Sequence, residues 1–376
     1  MNDFLSFDHN PRTRIVFGNG RAESAGELAR QTGLMKVLLV TDPGVMAAGH
    51  AERVRQSLRQ AKIQTVLFDS VHENPTTIDI DACLNAAREA SIDGIVGLGG
   101  GSSMDTAKGC NFLLTNGGRM QDYWGLGKAK RSMLPFIAIP TTAGTGSECQ
   151  SFALIANAET HQKMACGDPK AAARIAILDP LLTVSQPPRV SACTGIDALS
   201  HALETAVTRK RNALSLSYSR ESFRLCNGNL GRVLQDGDDL EARAGMLLGA
   251  ALAGLAIENS MLGAAHAAAN PLSAHFHLVH GQAVGMMLPA VIRFNAADAE
   301  TSRVYDELAP GLAERVDELL NLAGIPRSLA DCGVRPSAIP QLAAEAAKQW
   351  TAGFNPRQAG EEDFAKLFEA AFEPRR

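Results

Sequence analysis

Short apolar runs alternate with amphipathic segments through the first half of the chain. Continuous or alternating apolar runs predict strands, and apolar positions at a 3.6-residue spacing predict helices. The predicted strands are 14–17, 37–41, 64–68, 94–98 and 136–139, and the predicted helices are 21–30, 44–61, 80–90 and 102–114. Strands that alternate with helices predict βαβ units and a parallel sheet.

The second half of the chain has few strand signals and is rich in Ala and Leu at helical spacing. Helices are predicted near residues 190–208, 213–233, 239–259, 261–274, 282–296, 301–323 and 336–348. Pro187 and Pro188 separate the two patterns, and a length of 376 residues also favours two domains. We therefore predict an α/β domain with a parallel sheet over residues 1–186 and an all-α domain over residues 187–376.

Composition narrows the class of protein. The chain is 45% hydrophobic and 20% charged, with a net charge of -4 and no basic run that could follow a phosphate backbone. Its N-terminus lacks an apolar signal core, and no run approaches the roughly 18 apolar residues that span a bilayer. The seven cysteines are scattered without a CxxC pair, which favours a reducing compartment. We expect a cytoplasmic protein that binds neither nucleic acid nor membranes.

Two loops rich in glycine and hydroxyl side chains follow predicted strands. The first is Gly99-Gly100-Gly101-Ser102-Ser103, and the second contains Thr141, Thr142, Thr145 and Ser147. Backbone N–H groups in such loops, and the N-terminus of the helix that follows, favour a pyrophosphate. The first loop is not a strict GxGxxG, and a turn without a ligand is the alternative for either loop alone. Two such loops at strand ends favour a dinucleotide site.

Asp42 ends the predicted strand at 37–41. A carboxylate there can accept hydrogen bonds from ribose hydroxyls and repel a 2′-phosphate. The alternative is an Asp that forms a turn before Pro43, and the local sequence alone favours this turn.

A second group of residues has the chemistry of metal ligands. Asp197 and His201 are four apart on a predicted helix and therefore share one face. That pair alone is more typical of an exposed helix surface. His266 lies among alanines and glycines, and we predict one helical face that carries Asn259, Gly263, His266 and Asn270.

His280 follows at a predicted junction between a loop and a helix. Three imidazoles and one carboxylate suit Fe²⁺ or Zn²⁺. The predicted metal ligands are therefore Asp197, His201, His266 and His280, whereas His275 and His277 are interpreted as residues that do not bind the metal.

These motifs, in this order and spacing, resemble the iron-containing (group III) alcohol dehydrogenase family over nearly the whole chain. The motifs are Asn74-Pro75-Thr76, GGGSSMDTAKG (99–109), PTTAGTGSE (140–148), GIDALSHALE (195–204), residues 263–272 and Val279-His280-Gly281. The resemblance implies a dinucleotide-binding α/β domain, a helical metal-binding domain and a homodimer. It implies an NAD-dependent oxidoreductase that transfers hydride between a primary alcohol or aldehyde and NAD(H), with Fe²⁺ or Zn²⁺ as the metal.

The resemblance also implies a set of residues for each ligand. Metal ligands map onto the same four residues, and an Asp at position 42 favours NAD over NADP. The implied cofactor contacts are Asp42, Asn74, Gly100, Gly101, Ser102, Asp105, Thr141, Thr142, Thr145, Ser147, Lys163 and Leu182.

The chain departs from the family pattern near the predicted metal. Asn270 stands where members often carry a third His for proton transfer, Ile257 stands in place of a Phe, and Glu258 in place of a small residue. Asn270 and Glu258 are candidate pocket residues, with an exposed surface Glu as the alternative for Glu258. Two alternative activities are a hydroxyacid–oxoacid transhydrogenase and a lyase similar to dehydroquinate synthase. A scaffold protein with a degenerate site is disfavoured because all four ligand types are intact.

Overall fold

The computed structural model describes residues 6–160 and 162–373. It divides the chain into an α/β unit over residues 10–186 and a helical unit over residues 187–373 together with residues 6–9. The division therefore follows Gln186, at the two prolines, whereas the α/β unit begins at Asn10 rather than at the start of the chain. His9 groups with the helical unit because its Nδ1 lies 3.2 Å from Asn259 Oδ1. Residues 1–5 and 374–376 of the two predicted domains lie outside the described residues.

Nine strands and five α-helices form the described part of the α/β unit. The strands are β1 Arg14–Phe17, β2 Lys36–Val40, β3 Gln64–Phe68, β4 Gly94–Gly99, β5 Gly125–Leu126, β6 Phe136–Pro140, β7 Phe152–Ala156, β8 Lys163–Gly167 and β9 Ile175–Leu178. The helices are α1 Ala25–Gln31, α2 Pro43–Ala47, α3 His50–Gln60, α4 Thr77–Ala90 and α5 Gly101–Asn116.

Six parallel strands form the main sheet in the order β1-β9-β6-β4-β2-β3. Its central strands are buried on both faces, which explains why they read as continuous apolar runs. Leu38 and Val40 of β2 pack with α4 and α5 on one face, and Val37 and Leu39 pack with α1 and α3 on the other. This alternation follows the two-residue period of a strand and confirms the predicted parallel sheet with helices.

Parts of the α/β unit were not predicted. The predicted helix 44–61 is two helices, because Gly49 between them has a left-handed backbone with φ 79°. Strand β9 and a three-stranded sheet in the order β5-β8-β7 also escaped prediction. Strand β8 is KMACG and contains no β-branched residue, so it lacks the usual strand signal.

Nine helices form the described part of the helical unit. They are α6 Pro188–Val207, α7 Ala213–Gln235, α8 Leu240–Asn259, α9 Ala264–Phe276, α10 His280–Asn295, α11 Ala299–Leu308, α12 Leu312–Leu322, α13 Ile339–Ala347 and α14 Glu361–Phe372. The predicted helix 301–323 is divided at Gly311, whose backbone is left-handed with φ 64°. Helix α14 was not predicted.

Helix α8 is the one described helix that is long and apolar enough to cross a membrane. Of its most apolar stretch, 61% is buried within the protein. Its packing against α6 and α7 is that of a core helix.

Candidate functional site

The four predicted metal ligands come together in the helical unit. Asp197 and His201 lie on α6, His266 on the first turn of α9, and His280 at the start of α10. Asp197 Oδ1 lies 3.4 Å from His201 Nε2, 3.6 Å from His266 Nε2 and 3.9 Å from His280 Nε2. One carboxylate oxygen therefore faces three imidazole nitrogens.

The chemistry of this cluster fits a cation. Asp197 Oδ1 and His266 Nε2 are buried and have no hydrogen-bond partner among the described residues, and buried polar atoms in that state are costly. Burial alone would raise the pKa of Asp197, but the neighbouring imidazoles outweigh it and hold this pKa well below its ordinary value. An ionised carboxylate with three imidazoles is a donor set that suits Fe²⁺ or Zn²⁺.

Glu204 completes the surroundings of the cluster, although the sequence analysis assigned it no role. His266 Nδ1 donates to Glu204 Oε2 at 2.5 Å, and the Ala265 backbone N–H donates to Oε1 at 2.7 Å. Burial would raise the pKa of Glu204, but His266 and backbone N–H groups lower it overall. The sequence signal that could have identified Glu204 is its spacing, because Asp197, His201 and Glu204 stand at i, i+4 and i+7 on one helix.

The predicted polar face through Asn259 and His266 is wrong. Helix α8 ends at Asn259 and α9 begins at Ala264, so Glu258 and Ile257 are not on the helix that carries His266. The break falls at Gly263, whose backbone is extended and whose Cβ, if present, would lie 3.1 Å from Glu204 Oε1.

A glycine lets the start of α10 approach α6. A Cβ on Gly281 would lie 2.0 Å from the Cys193 carbonyl oxygen, a distance that only glycine permits. This close approach places His280 beside the two ligands on α6. The His280 side chain is 28% exposed, whereas those of Asp197 and His201 are about 5% exposed.

The other residues of interest in this region are His275, His277, Asn270 and Glu258. His275 Nε2 pairs with Glu345 at 2.8 Å, and His277 ends α9 with a left-handed backbone. Asn270 is one turn after His266, and its Nδ2 donates to Gln349 Oε1 at 3.0 Å. Glu258 is half-buried near the end of α8, so it is neither an exposed surface residue nor a core residue.

The two glycine- and hydroxyl-rich loops of the α/β unit lie in contact. They follow β4 and β6, which are neighbours in the parallel sheet. Gly99 has φ 146°, and a Cβ on Gly101 would lie 2.8 Å from Thr145 Cγ2. Gly100 precedes α5, and a Cβ there would meet Thr142 at 3.3 Å. The N-terminus of α5, where backbone N–H groups favour an anion, is therefore flanked by Thr142 and Thr145.

Asp42 both caps a helix and contacts the glycine loop. Its Oδ1 accepts from the Val45 N–H at 3.0 Å, which caps α2. Its Oδ2 accepts from the Ser103 hydroxyl at 3.4 Å, beside the glycine loop. Asp42 can therefore form the turn before Pro43 and still lie beside the glycine loop that is predicted to bind the nucleotide.

The remaining predicted cofactor residues are Asn74, Asp105, Thr141, Ser147, Lys163 and Leu182, of which Lys163 begins β8 in the small sheet. Asn74 has a left-handed backbone with φ 52°, and its N–H donates to Ser102 Oγ at 3.2 Å. The Ser147 hydroxyl donates to Asp105 Oδ1 at 3.4 Å. Burial raises the pKa of Asp105 to about 6, against the opposing charges of Lys108 and Lys163. Thr141 follows β6 and is buried, and the side chain of Leu182 lies wholly within the core after β9.

Lys108 anchors the second loop, and the sequence analysis gave it no role. Its side chain is 1% exposed. Its Nζ donates to the Ser147 carbonyl at 2.6 Å, to the Gln150 carbonyl at 2.8 Å and to the Phe152 carbonyl at 2.8 Å. A buried ammonium with this many acceptors fixes the path of the loop relative to α5.

Comparison with known proteins agrees with this arrangement. Residues 11–180 match the family model described as iron-containing alcohol dehydrogenase, and residues 191–372 match the model for the C-terminal part of Fe-containing alcohol dehydrogenases. The chain belongs to the iron-containing alcohol dehydrogenase family. Members of this family are NAD-dependent and contain a metal, and this chain is an NAD-dependent alcohol dehydrogenase that acts on small-molecule alcohols or aldehydes.

Individual relatives cover nearly the whole chain. The NAD-dependent methanol dehydrogenase of Bacillus methanolicus is 32% identical and covers 95% of this chain and 97% of its own. The choline dehydrogenase of Bacillus subtilis is 35% identical, with 96% and 94% covered. A crystal structure of 1,3-propanediol oxidoreductase has a TM-score of 0.93 at 32% identity and covers 98% of this chain and 100% of its own. These comparisons do not favour the transhydrogenase or the lyase.

Proposed function

We propose that Asp197, His201, His266 and His280 hold the single catalytic Fe²⁺ or Zn²⁺ of this alcohol dehydrogenase. The observation that carries the proposal is the convergence of three imidazole Nε2 atoms on one unpartnered oxygen of Asp197. When bound, the metal supplies a Lewis acid for the substrate oxygen, and NAD supplies the hydride acceptor. The helical scaffold holds the four side chains in place before the ligands arrive.

The α/β unit binds NAD in this proposal. The N–H groups at the start of α5 and the threonine loop bind the pyrophosphate, and Asp42 accepts hydrogen bonds from the adenosine ribose. A carboxylate there disfavours a 2′-phosphate, so NAD is preferred over NADP. The proposed contacts are Asp42, Asn74, Gly100, Gly101, Ser102, Asp105, Thr141, Thr142, Thr145, Ser147, Lys163 and Leu182.

The proposed substrate is a primary alcohol or its aldehyde, and the enzyme is a cytoplasmic homodimer. Methanol and choline, named for two relatives, differ in size and charge, so the side chain of the substrate stays open. Asn270 has no titratable proton and is paired with Gln349, so it carries no proton relay. Asn270→Ala should therefore leave the pH profile of turnover unchanged, and a large pH-dependent loss would contradict this.

The decisive test combines metal analysis with turnover. Protein purified without oxygen should contain one Fe²⁺ or Zn²⁺ per chain and should form NADH in proportion to the alcohol consumed, across a panel of primary alcohols. His201→Ala should lose both the metal and the activity, whereas the control His275→Ala should keep both. Retention of metal by His201→Ala would overturn the ligand set, and turnover without net NADH would favour a transhydrogenase.

A further inference from the structure

Glu204 is a buried carboxylate that contacts a metal-ligand histidine but lies outside the proposed ligand set. It is 4% exposed, and both of its oxygens are engaged. Oε2 accepts from His266 Nδ1, and Oε1 accepts from the Ala265 N–H at the start of α9. Because α6 carries Glu204, Asp197 and His201, this one side chain connects α9 to the helix that holds two other ligands.

The chemistry of this contact determines which nitrogen of His266 carries a proton. An ionised carboxylate can only accept, so Nδ1 must donate. Nε2 of a neutral imidazole then keeps its lone pair, and this atom faces Asp197 Oδ1. The other neutral tautomer would place N–H on Nε2, where it could bind no metal. Metal-binding histidines generally need such a partner on the second nitrogen.

We propose that Glu204 is a positioning residue that fixes the tautomer and the orientation of His266 for metal binding. The inference rests on the proposed metal site. It makes the spacing of Asp197, His201 and Glu204 a single functional pattern on α6, in which the first two residues bind the ion and the third orients a ligand on α9.

Glu204→Gln separates this role from simple packing. The glutamine has the same shape, and its carbonyl oxygen can still accept from the Ala265 N–H. Its amide group then faces His266 Nδ1 as a donor, which forces Nδ1 to accept and moves the ring proton to Nε2. We expect Zn²⁺ affinity, measured by competition with a chromogenic chelator, to fall by about 10- to 100-fold.

Asn355 provides a matched control for the helix-capping part of the contact. Its Oδ1 accepts from the Ala264 N–H at 3.2 Å, on the same turn of α9, and its side chain also bonds to Asn295 and to the Arg357 carbonyl rather than to a histidine. Asn355→Ala should lower thermal stability but change Zn²⁺ affinity less than about twofold. Equal losses of affinity in the two variants would reduce Glu204 to a structural cap and overturn the proposal.

A measurement on the unmodified enzyme keeps the proposal testable if Glu204→Gln fails to fold. In Zn²⁺-loaded protein labelled with ¹⁵N-histidine, nitrogen chemical shifts should show His266 with its proton on Nδ1, and a proton on Nε2 would overturn the proposal. His201→Ala distinguishes the two levels of failure. If this variant still binds Zn²⁺, the metal site itself is wrong; if it loses Zn²⁺ while Glu204→Gln binds normally, only the role of Glu204 is wrong.

Discussion

Glu148 should make the α/β unit less stable as the pH rises towards neutrality. It lies at the end of the threonine loop and is 2% exposed, and its Oε1 has no hydrogen-bond partner among the described residues. Burial raises its pKa from the ordinary 4.5 to about 7, against the opposing charge of Lys108. The folded chain therefore holds a proton that the unfolded chain releases above pH 4.5.

The size and sign of the effect follow from this pKa. Because the folded-state pKa is raised, its stabilising contribution is fully present below pH 4.5 and is lost as the pH rises to about 7. Each pH unit in this window is worth about 1.4 kcal/mol, so the loss reaches about 3 kcal/mol. Glu148→Gln has no such titration, and its stability relative to the unmodified enzyme should grow by this amount across the window.

Urea unfolding of both proteins between pH 4 and pH 8, at one fixed salt and metal concentration, measures the difference. Titrations shared by the two proteins cancel in this comparison. Glu89→Gln, on the exposed side of α4, is the control and should stay within about 0.5 kcal/mol of the unmodified enzyme at every pH. A difference between Glu148→Gln and the unmodified enzyme that does not vary with pH would refute the reasoning.

Three other substitutions test separate features. Lys108→Met leaves the carbonyls of Ser147, Gln150 and Phe152 without their donor. The free energy of unfolding should fall by about 3 kcal/mol, and KM for NAD should rise more than kcat falls in steady-state kinetics. An unchanged KM would contradict the anchoring role. Asp42→Ala removes the carboxylate that caps α2 at the Val45 N–H, which costs about 1 kcal/mol. The ratio of kcat/KM for NAD to kcat/KM for NADP should fall at least tenfold. An unchanged ratio would exclude Asp42 from cofactor selection. Gly281→Ala places a Cβ 2.0 Å from the Cys193 carbonyl oxygen. Thermal unfolding should therefore shift to lower temperature, and the metal content of the protein should decrease. Normal metal binding would show that His280 is not held in place by this contact.

Elements with a strong apolar pattern were predictable from the sequence. Strands such as Gln64–Phe68 and Arg14–Phe17 were predicted with the bounds that the structure has. Both are edge strands of the main sheet and only partly buried, so their short apolar runs, rather than full burial, made them visible. Strands of the small sheet were missed because their local signals are weak: β5 is only Gly125–Leu126, and β8 has no β-branched residue.

In the candidate site, residues that share one helix were predictable from the sequence, whereas contacts between helices were not. The Asp197 and His201 pair was visible because both residues lie on one helix. The contact between Glu204 and His266 joins residues on α6 and α9, and no local pattern encodes it. Separate helices were predicted at 239–259 and 261–274, but one polar face was drawn across the break because Asn259, Gly263, His266 and Asn270 keep a helical spacing.

The order of the main sheet has a consequence for synthesis of the chain. Strand β9 lies between β1 and β6, and Arg14 of β1 pairs with Ile175 of β9. On a ribosome, β6 therefore emerges with the backbone N–H and C=O groups of one edge unpaired until β9 has been made. At about 5 to 20 residues per second, this interval lasts roughly 2 to 8 s. During those seconds the nascent chain exposes a β6 edge that can pair with the wrong strand, so a chaperone that shields this edge should increase the yield of folded enzyme.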